Sequence, residues 1–135
     1  MKKKIIYVLL MLLITAPSIV KAQTQSNPVI YKDWESLEES LTQIDVSFRV
    51  IKCTTIPQIH LLVFNENSTD QNAHFELEII NTSNGVSFKK EINYAATKAT
   101  IYKAECDSDI SLDKLKIDLP SNYDPSNIKV KITYK

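Results

Sequence analysis

Apolar and polar residues alternate with a period of two in several segments from residue 44 onward, and this pattern constrains the fold of the chain most strongly. In residues 44–50, Val46, Phe48 and Val50 alternate with polar or charged side chains, and residues 128–134 repeat the pattern. Such alternation is typical of a β-strand with one buried face. The segments that follow residue 45 show no helical periodicity.

Seven strand candidates, separated by polar turns, follow from this pattern. They are residues 44–53, 59–64, 75–79, 86–94, 99–106, 115–119 and 128–134. Short strands at this spacing predict an antiparallel, immunoglobulin-like β-sandwich of about seven strands over residues 30–135. A true immunoglobulin domain is not expected, because no tryptophan lies between the two cysteines and Ala104 stands where the corner tyrosine belongs.

Residues 34–43 fit two patterns. Apolar side chains recur at helical spacing from Trp34 onward, and Asp33 suits a helix N-cap. The segment nevertheless runs into the first strand candidate without a glycine or proline to end a helix. Periodicity alone leaves helix and strand open. We expect Trp34 to pack in the core, with a binding surface formed by Tyr31 and Trp34 as the alternative.

The first 22 residues have the composition of a secretory signal peptide. A short basic stretch, Lys2–Lys4, precedes an apolar stretch from residue 5 to about residue 14. A small residue, Ala22, then stands where signal peptidase cleaves. We predict cleavage after Ala22, with Gln23 as the mature N-terminus and residues 23–29 as a flexible linker.

This leader predicts where the protein works. The apolar stretch is shorter than the roughly 20 residues that a membrane-spanning helix needs. We therefore expect an exported protein, periplasmic or extracellular, with no membrane span in the mature chain.

The predicted mature chain has room for one domain. The whole sequence holds 16 basic and 16 acidic residues, and four of the lysines lie in the predicted leader, so the mature net charge is −4. Nucleic-acid binding needs clustered positive charge, and the longest basic run in the mature part is Lys89-Lys90. We expect no nucleic-acid partner.

Cys53 and Cys106 are the two cysteines. An oxidising compartment favours their pairing, and their wide separation excludes a C-x-x-C redox motif. We predict a disulfide between them, which requires Cα atoms within about 7 Å.

One layout of residues is shared with a known group of proteins. It consists of Trp34, Ile44-Asp45-Val46-Ser47-Phe48, Cys53, Leu61-Leu62-Val63-Phe64-Asn65, Phe75-Glu76-Leu77-Glu78 and Cys106. The layout resembles that of uncharacterised small exported β-rich proteins of Bacteroidota. The resemblance implies a β-sandwich and an edge strand over residues 34–40, and it implies no activity.

The residues that catalysis or cofactor binding would need are few. Gly85 is the only glycine, whereas nucleotide-binding loops and hydrolase nucleophile elbows need several. His74, Glu76 and Glu78 are spaced about 7 Å apart along one strand face, which predicts a solvated polar face. His60 lies in an apolar strand and is predicted to be a hydrogen-bonded core or semi-core residue. These four residues should not converge on one pocket.

Four acidic residues follow the strand candidate at 99–106 or lie at its end. They are Glu105, Asp107, Asp109 and Asp113. The glycine and final glutamate of a calcium loop are missing. An acidic surface loop is therefore predicted, with a weak divalent-cation site as the alternative.

These observations favour a binding protein over an enzyme. We predict no catalytic residues, no cofactor and no metal site. The prediction is a non-catalytic binding or assembly module of the bacterial envelope or secreted fraction, with an envelope or secreted protein as its partner. The alternative is a domain that binds a glycan or small molecule, and a hydrolase ranks third.

Overall fold

The computed structural model describes residues 27–38 and 40–135, and this part of the chain is all-β. Eight strands form two antiparallel sheets. The strands are β1 (Val29–Ser36), β2 (Ile44–Lys52), β3 (Pro57–Asn65), β4 (Gln71–Asn81), β5 (Ser87–Ala96), β6 (Thr100–Lys103), β7 (Lys116–Asp118) and β8 (Ile128–Tyr134). The prediction of an antiparallel all-β fold is confirmed, with one strand more than the seven candidates.

Sheet A contains β1, β2 and β3 in that order, and its far edge is divided. β6 pairs with residues 62–65 of β3, and β7 pairs with residues 58–60 of the same strand. Between β6 and β7, residues 104–115 leave the sheet and end in a 3₁₀ helix, Ile110–Leu115. We call this excursion the 104–115 segment.

Sheet B has the order β5, β4, β8. β4 and β5 pair without a register shift from Gln71 opposite Ala96 to Ile80 opposite Ser87. The turn between them contains Gly85 at a φ of 74°, a conformation that glycine adopts without steric cost.

The core lies between the inner faces of the two sheets. Phe48 and Leu61 from sheet A, and Phe75 and Leu77 from sheet B, are completely buried and belong to one hydrophobic cluster. These residues occupy the apolar positions of the period-two pattern, because alternate side chains of a strand point to the same face. Removal of their apolar surface from water is the main force that holds the sheets together.

Residues 34–43 contain no helix in their described part. β1 begins at Val29, the last residue of the predicted linker, and ends at Ser36. The expected edge strand over residues 34–40 is therefore confirmed only as far as Ser36. Beyond it the chain turns, because the buried Ser40 hydroxyl accepts hydrogen bonds from the backbone N–H groups of Thr42 and Ile44.

Two predicted strands are shorter than expected. Residues 99–106 form a strand only over Thr100–Lys103, and residues 115–119 only over Lys116–Asp118. Between them Asp109 caps the 3₁₀ helix, accepting a hydrogen bond from the backbone N–H of Ser111. Sequence periodicity did not predict this helix.

The Cys53–Cys106 disulfide is present, with Cα atoms 5.5 Å apart, which confirms the predicted pairing. Cys53 directly follows β2, and Cys106 lies in the 104–115 segment. The bond therefore attaches this segment to the turn between β2 and β3.

The predicted signal peptide, residues 1–22, lies outside the described residues. So do the cleavage site between Ala22 and Gln23 and the first part of the predicted linker. Within residues 27–38 and 40–135, no helix has the length and hydropathy needed to cross a bilayer.

Candidate functional site

The outer face of sheet B is covered by polar side chains that form hydrogen bonds and ion pairs. His74, Glu76 and Glu78 lie on β4, and each contacts a side chain of β5 or β8. The pairs are His74–Glu91 at 2.6 Å, Glu76–Lys89 at 2.7 Å and Glu78–Lys131 at 3.5 Å. The hydrogen bond from Lys89 lowers the pKa of Glu76 below its usual value. This face is the solvated polar surface that the sequence predicts.

His60 lies in the other sheet, on β3, so the four candidate residues do not converge. Its side chain is fully buried, as predicted, and its Nε2 lies 3.1 Å from Gln58 Oε1. Gln58 donates its amide N–H to Asp118 Oδ1, at 2.7 Å, so its oxygen faces the imidazole. Burial, reinforced by the positive charges of Arg49 and Lys116, lowers the pKa of His60 to about 4. The ring is therefore neutral at pH 7.

Arg49 lies opposite His60 on β2 and is almost completely buried. It forms an ion pair with Glu105, and Lys103 reaches the same carboxylate at 2.6 Å. Burial alone would raise the pKa of Glu105, but hydrogen bonds from Lys103 and Arg49 outweigh it and hold the pKa below its usual value. Two cations thus share one carboxylate.

Trp34 contacts the two cations that bind Glu105. The prediction that Trp34 packs in the core is wrong. Its ring lies 4.8 Å from the Arg49 guanidinium and 5.5 Å from Lys103 Nζ. Both distances are within the range of cation–π attraction. Trp34 therefore lies across the outer face of sheet A, where it helps to cover Arg49.

Three of the four acidic residues of the 104–115 segment have separate roles, and Asp107 is exposed. Glu105 binds the two cations, Asp109 caps the 3₁₀ helix and Asp113 pairs with Lys116 at 3.1 Å. No group of three or more His, Cys, Asp or Glu side chains in the described part of the chain is arranged to hold a metal ion.

An apolar patch lies on the outer face of sheet A. Leu62 and Phe64 of β3 are half-buried there, although they point away from the core. Ile101 of β6, directly opposite Phe64, is 58% exposed. We call Leu62, Phe64 and Ile101 the Phe64 patch.

Charged residues lie at two corners of the Phe64 patch. Asp45 of β2 is opposite Phe64, and Ser47 is opposite Leu62. On the other side Lys103 of β6 is opposite Leu62. One carboxylate oxygen of Asp45 is buried without a hydrogen-bond partner, and no ion pair of the described residues includes Asp45.

The sequence contains a signal for this patch. Residues 59–64 are apolar at nearly every position, which predicts a strand covered on both faces. The inner face of β3 is covered by sheet B, but Leu62 and Phe64 on the outer face are only partly covered. Periodicity alone could not show that the outer face of β3 is only partly covered.

A concave surface lies where the two sheets meet near Ile44 and the end of β8. It is a cleft of about 440 Å³, and its lining includes Leu41, Gln71, His74 and Tyr134. Leu41 is completely exposed. The cleft combines apolar walls with hydrogen-bonding groups.

No family model matches this chain, and neither a curated protein nor a solved structure matches it.

Proposed function

We propose that this protein is a non-catalytic binding or assembly module of the bacterial envelope or secreted fraction, and that it acts through protein–protein contacts. The Phe64 patch is the contact surface. The observation that carries the proposal is an apolar, partly aromatic surface on the outer face of sheet A, where Ile101 is 58% exposed. Exposed apolar patches bordered by polar residues are typical of protein interaction sites.

The contrast between the two outer faces supports this assignment. The outer face of sheet B carries the polar and ion-paired side chains of β4 and its neighbours, which favour solvent. The outer face of sheet A instead presents Phe64 and Ile101, and Trp34 lies on the same face over the buried Arg49. Aromatic residues are enriched in the cores of protein interfaces.

The titratable groups support a non-catalytic role. His60 is buried, neutral and hydrogen-bonded to Gln58. Arg49 and Lys103 are paired with Glu105. A nucleophile, a base and an orienting group within reach of one substrate position are what a hydrolytic site requires, and these pairs supply no such set.

A photoreactive phenylalanine analogue in place of Ile101 tests the contact surface in the native host. The matched control carries the analogue in place of Asn93, an exposed residue on the outer face of sheet B. We expect a discrete protein adduct from position 101 and none from position 93. Equal labelling at both positions, or no adduct at position 101, would contradict the proposal.

The cleft near Ile44 favours the alternative, a domain that binds a glycan or small molecule. Its volume of about 440 Å³ lies within the range of ligand pockets, about 300–1,000 Å³. Tyr134 offers an aromatic surface there. Binding on a glycan array that is abolished by Tyr134→Ala, with the Ile101 adduct absent, would support this alternative and replace the protein-contact proposal.

Export and the finer fold type are part of the same proposal. We propose cleavage after Ala22 and an immunoglobulin-like arrangement of the two sheets. The Cys53–Cys106 disulfide supports export, because such bonds persist in oxidising compartments. N-terminal sequencing of the protein from its native host should find Gln23, whereas an intact Met1 in the folded protein would contradict cleavage.

A further inference from the structure

The charges around the Phe64 patch are arranged in a self-complementary way. Strand register places six side chains in two rows of three: Asp45, Phe64 and Ile101 in one row, and Ser47, Leu62 and Lys103 in the next. Neighbouring strands are about 4.8 Å apart and alternate residues about 7 Å apart, so the six positions span roughly 10 by 7 Å. Asp45 and Lys103 therefore occupy diagonally opposite corners.

Each of these corners carries a charge that the chain does not fully neutralise. Glu105 is shared by Lys103 and Arg49, so one positive charge is left over at the Lys103 corner. Asp45 at the other corner has no ion-pair partner among the described residues. A partner surface should therefore present a cation to Asp45 and an anion to Lys103.

A second copy of the same face meets this requirement. Two copies can face each other across a two-fold axis that lies in the plane of the contact. If this axis is perpendicular to the line from Asp45 to Lys103, each charged corner meets the opposite corner of the other copy. Asp45 of each copy then faces Lys103 of its partner. The strands of the two copies cross at a steep angle, which is the orthogonal class of sheet packing.

We infer that the occupant of the Phe64 patch is a second copy of this chain, bound face to face with Asp45 opposite Lys103. This inference rests on the proposed function and names its partner. Because the contact is isologous, the charge pair forms twice and the apolar residues of the two patches cover one another. The charge pairs set the orientation, while burial of Leu62, Phe64 and Ile101 provides affinity.

Charge reversal tests the inference with purified protein. Asp45→Lys puts two cations opposite each other in the dimer, and Lys103→Glu puts two anions opposite each other. Sedimentation velocity over a concentration series should show wild-type dimers and an at least tenfold weaker dimer for each single variant. The matched control, Lys131→Glu on the outer face of sheet B, should dimerise as the wild type does.

Mixing the two single variants provides the decisive measurement. In a dimer of one Asp45→Lys copy with one Lys103→Glu copy, both corners again carry opposite charges, so we expect mixed dimers. The double variant Asp45→Lys with Lys103→Glu should regain self-association for the same reason. Thermal unfolding of each variant shows that loss of the dimer is not loss of the fold.

The failures of the two proposals are distinguishable. If wild-type protein stays monomeric, or if the single variants dimerise as tightly as the wild type, the second-copy inference is wrong. If in that case position 101 still gives an adduct with a different protein in the host, the proposed function stands. If position 101 gives no protein adduct either, both are wrong.

Discussion

His60 shows how one buried residue can make the stability of the protein depend on pH. Its side chain is fully buried, and its pKa is lowered to about 4 because burial and the nearby Arg49 and Lys116 disfavour a third positive charge. An unfolded chain would release a histidine proton near pH 6.5. Between these two values the unfolded state binds more protons than the folded state, so acid favours unfolding.

We therefore expect the free energy of unfolding to fall by about 2 kcal/mol between pH 7.5 and pH 5 on account of His60. The stability is fully present above pH 6.5 and is lost as the pH falls toward 4. In the His60→Gln variant this pH dependence of the free energy of unfolding should disappear, whatever the stability of the variant at neutral pH. Urea unfolding at the two pH values measures the difference.

An exposed residue that does not titrate provides the control for that experiment. Asn93→Gln, on the outer face of sheet B, should keep the pH dependence of the wild type. A His60→Gln variant that still loses about 2 kcal/mol between pH 7.5 and pH 5 would show that other groups carry the effect.

At the scale of elements, the 104–115 segment is the least regular part of sheet A. It interrupts the edge strand between β6 and β7, and it is attached at Cys106 to the turn after β2. Glu105, the residue before Cys106, binds Arg49 and Lys103. The disulfide and this carboxylate together hold the start of the segment against sheet A, while its 3₁₀ helix contacts both β3 of sheet A and β5 of sheet B.

Removal of the disulfide should therefore be costly. The variant with both Cys53→Ser and Cys106→Ser loses a cross-link that spans a sequence separation of 53 residues, for which the chain-entropy model gives about 4 kcal/mol. Denaturant unfolding under non-reducing conditions measures the loss. Thr54→Ser, in the same turn, is the control and should change stability little. A loss below about 1 kcal/mol in the double variant would contradict the expected contribution.

At the scale of the whole molecule, the two sheets depend on one shared core. Phe75 of sheet B is completely buried in the same cluster as Phe48 and Leu61 of sheet A. Trp34, the only tryptophan, lies on sheet A, so its fluorescence reports on the sheet that Phe75 does not belong to.

Phe75→Ala should destabilise both sheets together by about 3–5 kcal/mol, because it leaves a cavity in the shared core. The denaturation midpoints from Trp34 fluorescence and from far-ultraviolet circular dichroism should shift equally. Phe88→Ala, at a half-buried position of β5, should cost less. A Trp34 transition that stays in place while the dichroism signal shifts would show that the sheets unfold separately.

Much of the fold follows from the sequence because a period of two has one physical meaning. The residues that alternate in β2, β4 and β8 bury one face, and their apolar members form the core. The disulfide also followed from the sequence, because the sequence contains two cysteines and a leader that predicts export. The polar face of β4 was predictable because His74, Glu76 and Glu78 have the same parity.

Only the tertiary structure decided what surrounds each outer face. Trp34 lies over Arg49 because β1 pairs with β2 and β6 brings Lys103 to the same face, and these long-range contacts leave no periodic signal. The 104–115 segment leaves the sheet because a disulfide, an ion pair and a helix cap act together. Leu62 and Phe64 are apolar in the sequence whether or not a neighbour covers them. Their exposure is a property of the packed sheets, because local pattern determines the face on which a side chain lies and tertiary packing determines what covers that face.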